Sequence, residues 1–280
     1  MQMNDLPHGM APGARSVNVQ GLRQGRRFAG TDCLAEEVPV ALEFNGISHA
    51  VMLATPVDLE DFAIGFALTE GIVDRLDEVH DLEIVASERG MTARIAIAAG
   101  RFAALKERRR NLAGRTGCGL CGVESLDQVC RPVPPVSVAT GFSVQSVLRA
   151  VAALRDGQSL HGATGATHAA GWARADGRLI LVREDIGRHN ALDKLAGALA
   201  RARMPAAEGL VVVTSRASME MVSKTVCLGV GLLAAVSGVT GLAADLADQA
   251  GLTLMGFARG QDVGVYAHPE RLDWSADDGC

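Results

Sequence analysis

Aromatic side chains make up only 4% of the 280 residues, with two Trp and one Tyr. That scarcity argues against an aromatic-rich β-sandwich and leaves the core to Ala, Val, Leu, Ile and many Gly, a composition suited to close helix-on-sheet packing. A surplus of positive charge is also missing. The net charge is −5 and the isoelectric point is near 5.8, so the chain has no general attraction for nucleic acid or an anionic membrane, and any anion site must be local. Cysteine is sparse: Cys33, Cys118, Cys121, Cys130, Cys227 and Cys280 are too few and too irregular for a secreted disulfide framework. The opening stretch MQMNDLPHGMAPGARS has no charged-then-apolar signal pattern and reads as a disordered leader over residues 1–30. Together these absences point to a reducing cytoplasm. Internal repeats and heptad runs are absent too.

One apolar run tests that reading. Thr225 to Ala244 is uncharged and long enough to cross a bilayer. Gly229, Gly231, Gly238 and Gly241 divide it into a helix end, a short strand LLAAVS and a new helix start, which predicts a buried core and no membrane span. A hydrophobic fraction of 48% fills one large or two modest cores.

A smaller α+β unit is expected over 31–110. VPVALEFNGISHAVMLAT places two apolar runs around Asn45-Gly46, a pair that readily supplies the positive φ angles of a tight hairpin. DLEDFAIGFALTEGIV then sets Leu59, Phe62, Ala63, Phe66 and Ala67 on one helical face, with acids in the first turn and Gly71 as a stop. HDLEIVASERGMTARIAIAAG reads as a second hairpin and RFAALKERRR as a helix with a basic end. Regularity stops over 111–140, where a thiol loop and the proline-rich RPVPPVSVAT mark a connection. Over 141–270 the pattern alternates helix and strand: SVQSVLRAVAALRDG, a hairpin turning at Asp176-Gly177, GRHNALDKLAGALARAR, GLVVVTS, SMEMVSKTVCLGV, GLLAAVS, GLAADLADQAG and LTLMGFARG. That predicts an α/β domain with a mostly parallel sheet covered by helices on both faces, its ligand groups gathered where strands run out into helix starts. Residues 271–280 are left as a tail.

The loop RTGCGLCGVES holds Cys118 and Cys121 three residues apart, a spacing that serves a metal ligand pair, a redox dithiol or a nucleophile, or that marks only a turn containing cysteines. A structural zinc site needs four ligands, and neither a second Cys-x-x-Cys nor a His-x-x-x-His accompanies the pair. A thioredoxin-like dithiol starts a helix directly after a strand, whereas this pair sits among Gly117, Gly119 and Gly122. A nucleophile that moves between two partners fits better. A thiol of pKa about 8.5 is only about 3% thiolate at pH 7, and Arg108, Arg109, Arg110 and Arg115 offer a field that raises that fraction. Further on, VVVTSRASME sets Thr214, Ser215, Arg216 and Ser218 between a buried strand and a helix, an arrangement equally suited to an anion site or to a simple helix cap. REDIGRHNALDKL reads as a capped helix in which His189 alone is more often structural than catalytic. GFARGQD reads either as a strand-ending turn or as a site built on Arg259 and Gly260.

The segments EEVPVALEFNGISHAVMLATPVDLEDFAIGFALTEGI, TGCGLCG, THAA, REDIGRHNALDK, TSRASMEMV, AAVSGVTGLA and GFARG resemble, in their order, those of the FdhD/NarQ family of formate dehydrogenase accessory proteins, from about Glu36 to Tyr266. The resemblance implies a cytoplasmic sulfurtransferase. Such a protein takes persulfide sulfur from a cysteine desulfurase and delivers it to the molybdenum or tungsten bis-molybdopterin guanine dinucleotide cofactor of formate dehydrogenase. It also implies a homodimer and a second domain similar to the cytidine deaminase fold. Deaminase chemistry itself is not expected, because no Pro-Cys-x-x-Cys is present to hold zinc. On this resemblance Cys118 is the persulfide carrier and Cys121 an assisting thiol. The cofactor-contacting segment falls on Phe257, Ala258, Arg259, Gly260, Gln261 and Asp262; the strand-to-helix position of Ser215 and Arg216 adds them as expected cofactor contacts. Gln261-Asp262 is less basic than the family pattern. A protein that binds and delivers the cofactor without passing sulfur is the alternative, and it would not need the cysteines.

Overall fold

The computed structural model describes residues 10–112, 135–136 and 141–275. Cys118, Cys121, Cys130 and Arg115 lie outside them, and so does the expectation of a thiol loop that swings between partners.

The chain opens with a ribbon. Strands β1 (Ala14–Arg23) and β2 (Arg26–Ala35) pair antiparallel and form a sheet of their own. Residues 1–9 lie outside the described residues, and from Ala14 onward the ribbon corrects the leader expected over 1–30. Its sequence shows no apolar face because the ribbon has almost none: most of its residues are exposed.

The next sheet has four strands in the order β4-β3-β6-β5, built from β3 (Val38–Phe44), β4 (Ile47–Ala54), β5 (Val79–Ser87) and β6 (Gly90–Ile97). Asn45 and Gly46 both take positive φ, 46° and 79°, in the β3–β4 turn. Every second residue of β3 and β6, namely Val40, Leu42, Phe44, Ala93, Ile95 and Ile97, enters one core with α1 (Leu59–Thr69) and α2 (Ala99–Leu112).

The larger sheet runs β13-β12-β11-β10-β8-β9, from β8 (His168–Arg174), β9 (Leu179–Asp185), β10 (Gly209–Val213), β11 (Leu232–Ala235), β12 (Thr253–Arg259) and β13 (Asp262–Ala267). Only β10–β11 and β11–β12 are parallel; the other three pairings are antiparallel. The sheet is therefore mixed and not mostly parallel. The β8–β9 and β12–β13 connections are too short for the crossover that a parallel pair requires. Covering on both faces does occur. Val211, Val213, Leu233 and Ala235 face α5 (Arg188–Arg201), α6 (Met219–Cys227) and α7 (Gly241–Ala250), while Leu210, Val212, Leu232 and Ala234 face α3 (Val144–Asp156), which is followed by the short α4 (Ser159–Thr164). The expected tail also contributes structure, since β14 (Leu272–Asp273) pairs parallel with β7 (Phe142–Ser143).

The two sheets are joined through α1 and α5. A Cβ built on Gly65 would sit 1.7 Å from the Asp193 carbonyl oxygen, and one on Gly197 would sit 1.9 Å from that of Asp61. Only glycine at both positions permits this backbone approach. Charged groups reinforce the joint. Asp61 of α1 takes Arg183 at 2.7 Å and Arg201 at 2.7 Å. Lys194 of α5, wholly buried, reaches Asp185 at 2.7 Å and the Thr55 carbonyl at 3.0 Å.

Candidate functional site at the carboxyl edge of the larger sheet

Parallel strands deliver their following loops to one edge. After β10 come Thr214 to Ser218, after β11 Val236 to Thr240, and β12 runs out through Phe257. Backbone bonds tie the three together: Ala217 donates to the Gly238 carbonyl at 3.0 Å, Thr240 to that of Ala217 at 3.1 Å, and Phe257 to that of Ser237 at 2.9 Å. The sequence-expected residues therefore fall on neighbouring loops. Ser215 is buried and its hydroxyl donates to the Arg216 carbonyl at 3.0 Å, while the Arg216 side chain is exposed. Phe257 has φ 51°, uncommon for a bulky residue, and its ring covers the open face of Gly238. Ala258 points into the α3 side of the core. Arg259, Gly260, Gln261 and Asp262 continue outward as an exposed hairpin turn, with Arg259 opposite Asp262 in register.

The edge also gathers residues that no local sequence pattern singles out. Because β8 runs antiparallel to β10, its first residue His168 lies beside the end of β10, where Ala169 and Thr214 exchange backbone and hydroxyl bonds. The first turn of α5 brings Arg188 and His189, and the start of α6 brings Ser218 and Glu220. Burial lowers the His189 imidazole below its ordinary value, and the Arg188 charge pushes the same way. His168 is lowered by burial, then by Arg188 and His161. Both imidazoles are thus neutral at pH 7. Burial alone would raise Glu220, but the Ser218 hydroxyl, which donates to it at 2.8 Å, and the neighbouring positive charge hold it below the usual carboxylate range. His189 Nε2 stands 3.6 Å from Glu220, outside hydrogen-bond reach, and the two form an ion pair only when the imidazole is protonated. His189 Nε2 and Arg188 Nε are buried with no hydrogen-bond partner among the described residues. Buried polar groups left open in this way call for a partner outside the described residues.

This edge can bind and orient an anionic molecule. It offers the guanidinium groups of Arg188, Arg216 and Arg259 with donors from three loops, and neutral imidazoles that can hold or pass a proton. Among the described residues no cluster of three or more His, Cys, Asp or Glu is placed to hold a metal ion. The sequence signal for the missed group was the stretch REDIGRHN. Its value depends on which strand end faces the helix start, which only the sheet order decides.

A mixed α/β sheet with its polar groups on the loops at one edge describes a protein whose chemistry is carried by loops on a rigid frame. The sequence profile of the FdhD/NarQ family matches residues 35–273, and the chain belongs to that family. Among its relatives, the sulfur carrier protein FdhD of Variovorax paradoxus is 54% identical over 274 residues, 98% of each chain. That of Cupriavidus necator is 58% identical over 258 residues, 92% of this chain and 90% of its own. A crystal structure from Desulfotalea psychrophila, described as a candidate formate dehydrogenase accessory protein, has a TM-score of 0.75 at 22% identity and covers 94% of this chain and 100% of its own. At that identity the likeness supports the fold.

Proposed function

We propose that this protein is a cytoplasmic sulfur carrier for formate dehydrogenase. It accepts persulfide sulfur from a cysteine desulfurase on Cys118 and hands it to a molybdenum or tungsten bis-molybdopterin guanine dinucleotide held as cargo at the carboxyl edge. The observation that carries this reading is identity above one half, across nearly the whole chain, to proteins named sulfur carriers. The Cys118-Gly-Leu-Cys121 pair supplies the chemistry. The Cys118 thiolate attacks the terminal sulfur of the desulfurase persulfide, forming a new S–S bond and releasing the desulfurase thiolate, with no net redox change. On delivery, the Cys121 thiolate attacks the inner sulfur of the Cys118 persulfide. The terminal sulfur leaves as sulfide and the pair becomes a disulfide, so the two electrons gained by sulfur come from the thiols.

The cargo's two diphosphates match the edge's composition, since exposed Arg216 and Arg259 stand on neighbouring loops and Arg188 Nε is buried with no hydrogen-bond partner among the described residues. Neutral His168 and His189 can donate one N–H each without adding charge. The reading includes a homodimer, and a larger sheet akin to that of cytidine deaminases but without their zinc-thiolate set. Mass spectrometry of the protein after incubation with a cysteine desulfurase and cysteine tests it. One added sulfur atom on Cys118 is the expected result. An unmodified Cys118 with cargo still bound would replace the carrier with a chaperone that delivers cofactor only.

A further inference from the structure

The β1–β2 ribbon lies ahead of the family's shared core, which begins at residue 35. The alignment with the Variovorax paradoxus relative nevertheless spans 274 of the 280 residues, so it runs well into this segment. Two ten-residue strands at about 3.3 Å per residue give an arm roughly 30 Å long. Its base rests on α4, and Arg15 pairs with Glu36 there at 3.2 Å. The outer part touches little of its own chain. Leu22, beside the tip, is 71% exposed, and a two-stranded ribbon alone in water is marginally stable. Such an arm needs a surface to lie on.

Charge says what kind of surface. Arg23, Arg26 and Arg27 crowd the Gln24-Gly25 turn, with the Arg23 guanidinium 4.9 Å from the Phe28 ring centre. Across 14–35, four arginines against one aspartate give +3, which leaves −8 on the rest of a chain whose net charge is −5. A second copy of this chain therefore presents a body of opposite sign to the arm. Nucleic acid, by contrast, would be repelled by the acidic body behind it. A two-fold pair lets both arms make the same contact reciprocally.

We infer that the β1–β2 arm is the embracing element between two copies of this protein, with the arginine tip of each seated on the acidic body of the other. This rests on the homodimer in the reading above and is independent of the sulfur chemistry. The test is sedimentation velocity on the full chain and on R23E/R26E/R27E, at low and high salt, with circular dichroism confirming that the variant is folded. The expected result is a wild-type dimer weakened by salt and at least a tenfold weaker dimer in the variant. Hydrogen exchange of 14–35 in the wild type should slow as protein concentration rises. A folded variant that dimerises like the wild type would overturn the arm while leaving the dimer. A wild type that stays monomeric would overturn both, and if the variant then also lost binding to a cysteine desulfurase, the arm would be assigned to that donor.

Discussion

Lys194 is a lysine with no access to water: it reaches Asp185 at 2.7 Å and the carbonyls of Thr55 at 3.0 Å and Glu184 at 3.3 Å. Burial lowers its pKa, and the attraction of Asp185 opposes that shift. Asp185 in turn accepts from the Thr55 amide at 3.0 Å and the Gly187 amide at 2.8 Å, so one carboxylate ties the first sheet to the start of α5. Lys194→Met leaves that carboxylate buried without its counter-charge, and should cost about 3–5 kcal/mol in urea unfolding. Adding Asp185→Asn should recover part of the loss. At the edge, Arg259→Ala removes an exposed cation proposed to meet cargo phosphate. Calorimetry with guanosine diphosphate should show binding weakened about tenfold or more, as expected for the loss of a charge-assisted bond worth about 1.5–3 kcal/mol. Unchanged affinity would assign the phosphate contact to Arg216 or Arg188. Cys118→Ala should abolish activation of formate dehydrogenase in a reconstituted assay while leaving guanosine diphosphate binding intact, and Cys121→Ala, which still loads sulfur on Cys118, should be less severe when an added thiol such as dithiothreitol takes over the release step.

The element that most repays attention is α1. Its sequence shows one apolar face, yet Asp61, Ile64, Gly65 and Thr69 are buried as well as Phe62, Ala63, Phe66 and Ala67. The helix has two neighbours: the first sheet on one side and α5 on the other. Gly65→Ala puts a methyl group where the Asp193 carbonyl stands, and Gly197→Ala does the same at Asp61. Each should therefore cost about 3 kcal/mol or more, because backbone must shift to make room. Thermal melts of the two single variants and the double variant check this. The double variant should cost less than the sum, since one separation of the helices relieves both clashes.

The whole molecule should respond to mild acid through its imidazoles. Burial and Arg188 lower His168 and His189 in the fold from their ordinary value of 6.5. The unfolded chain therefore takes up protons as pH falls through that value while the folded chain resists. Stability is then lost on acidification, starting near pH 6.5 and continuing down to the lowered folded values. His189→Gln should flatten the fall in melting temperature between about pH 7.5 and pH 5.5. An unchanged slope would place the acid sensitivity in other groups. The α1–α5 joint makes this global: Lys224 of α6 bonds Asp193 of α5 at 2.8 Å and Glu70 just beyond α1 at 2.8 Å. These two acids keep Lys224 protonated despite its burial.

Local order was written in the sequence wherever the chain's own neighbours decide it. Asn45-Gly46 and Asp176-Gly177 announced their turns, the apolar runs around Asn45-Gly46 announced β3 and β4, and the glycines between Thr225 and Ala244 announced a strand between helices instead of a membrane span; no helix among the described residues is long and apolar enough to cross one. The carboxyl edge was half legible, because Ser215, Arg216 and Arg259 follow apolar strands, and a strand end is visible one segment at a time. His168, Arg188 and Glu220 were not legible as partners. What unites them is that β8 runs antiparallel beside β10, a pairing across about forty residues that no local pattern encodes. The same holds for Lys194 and Gly197, which read as an ordinary helix and became the joint of the molecule only when α1 packed against them. Residue spacing along one chain fixes helices, strands and turns, whereas strand order, burial of a second helix face and the pairing of distant charges follow from how those elements share a limited interior.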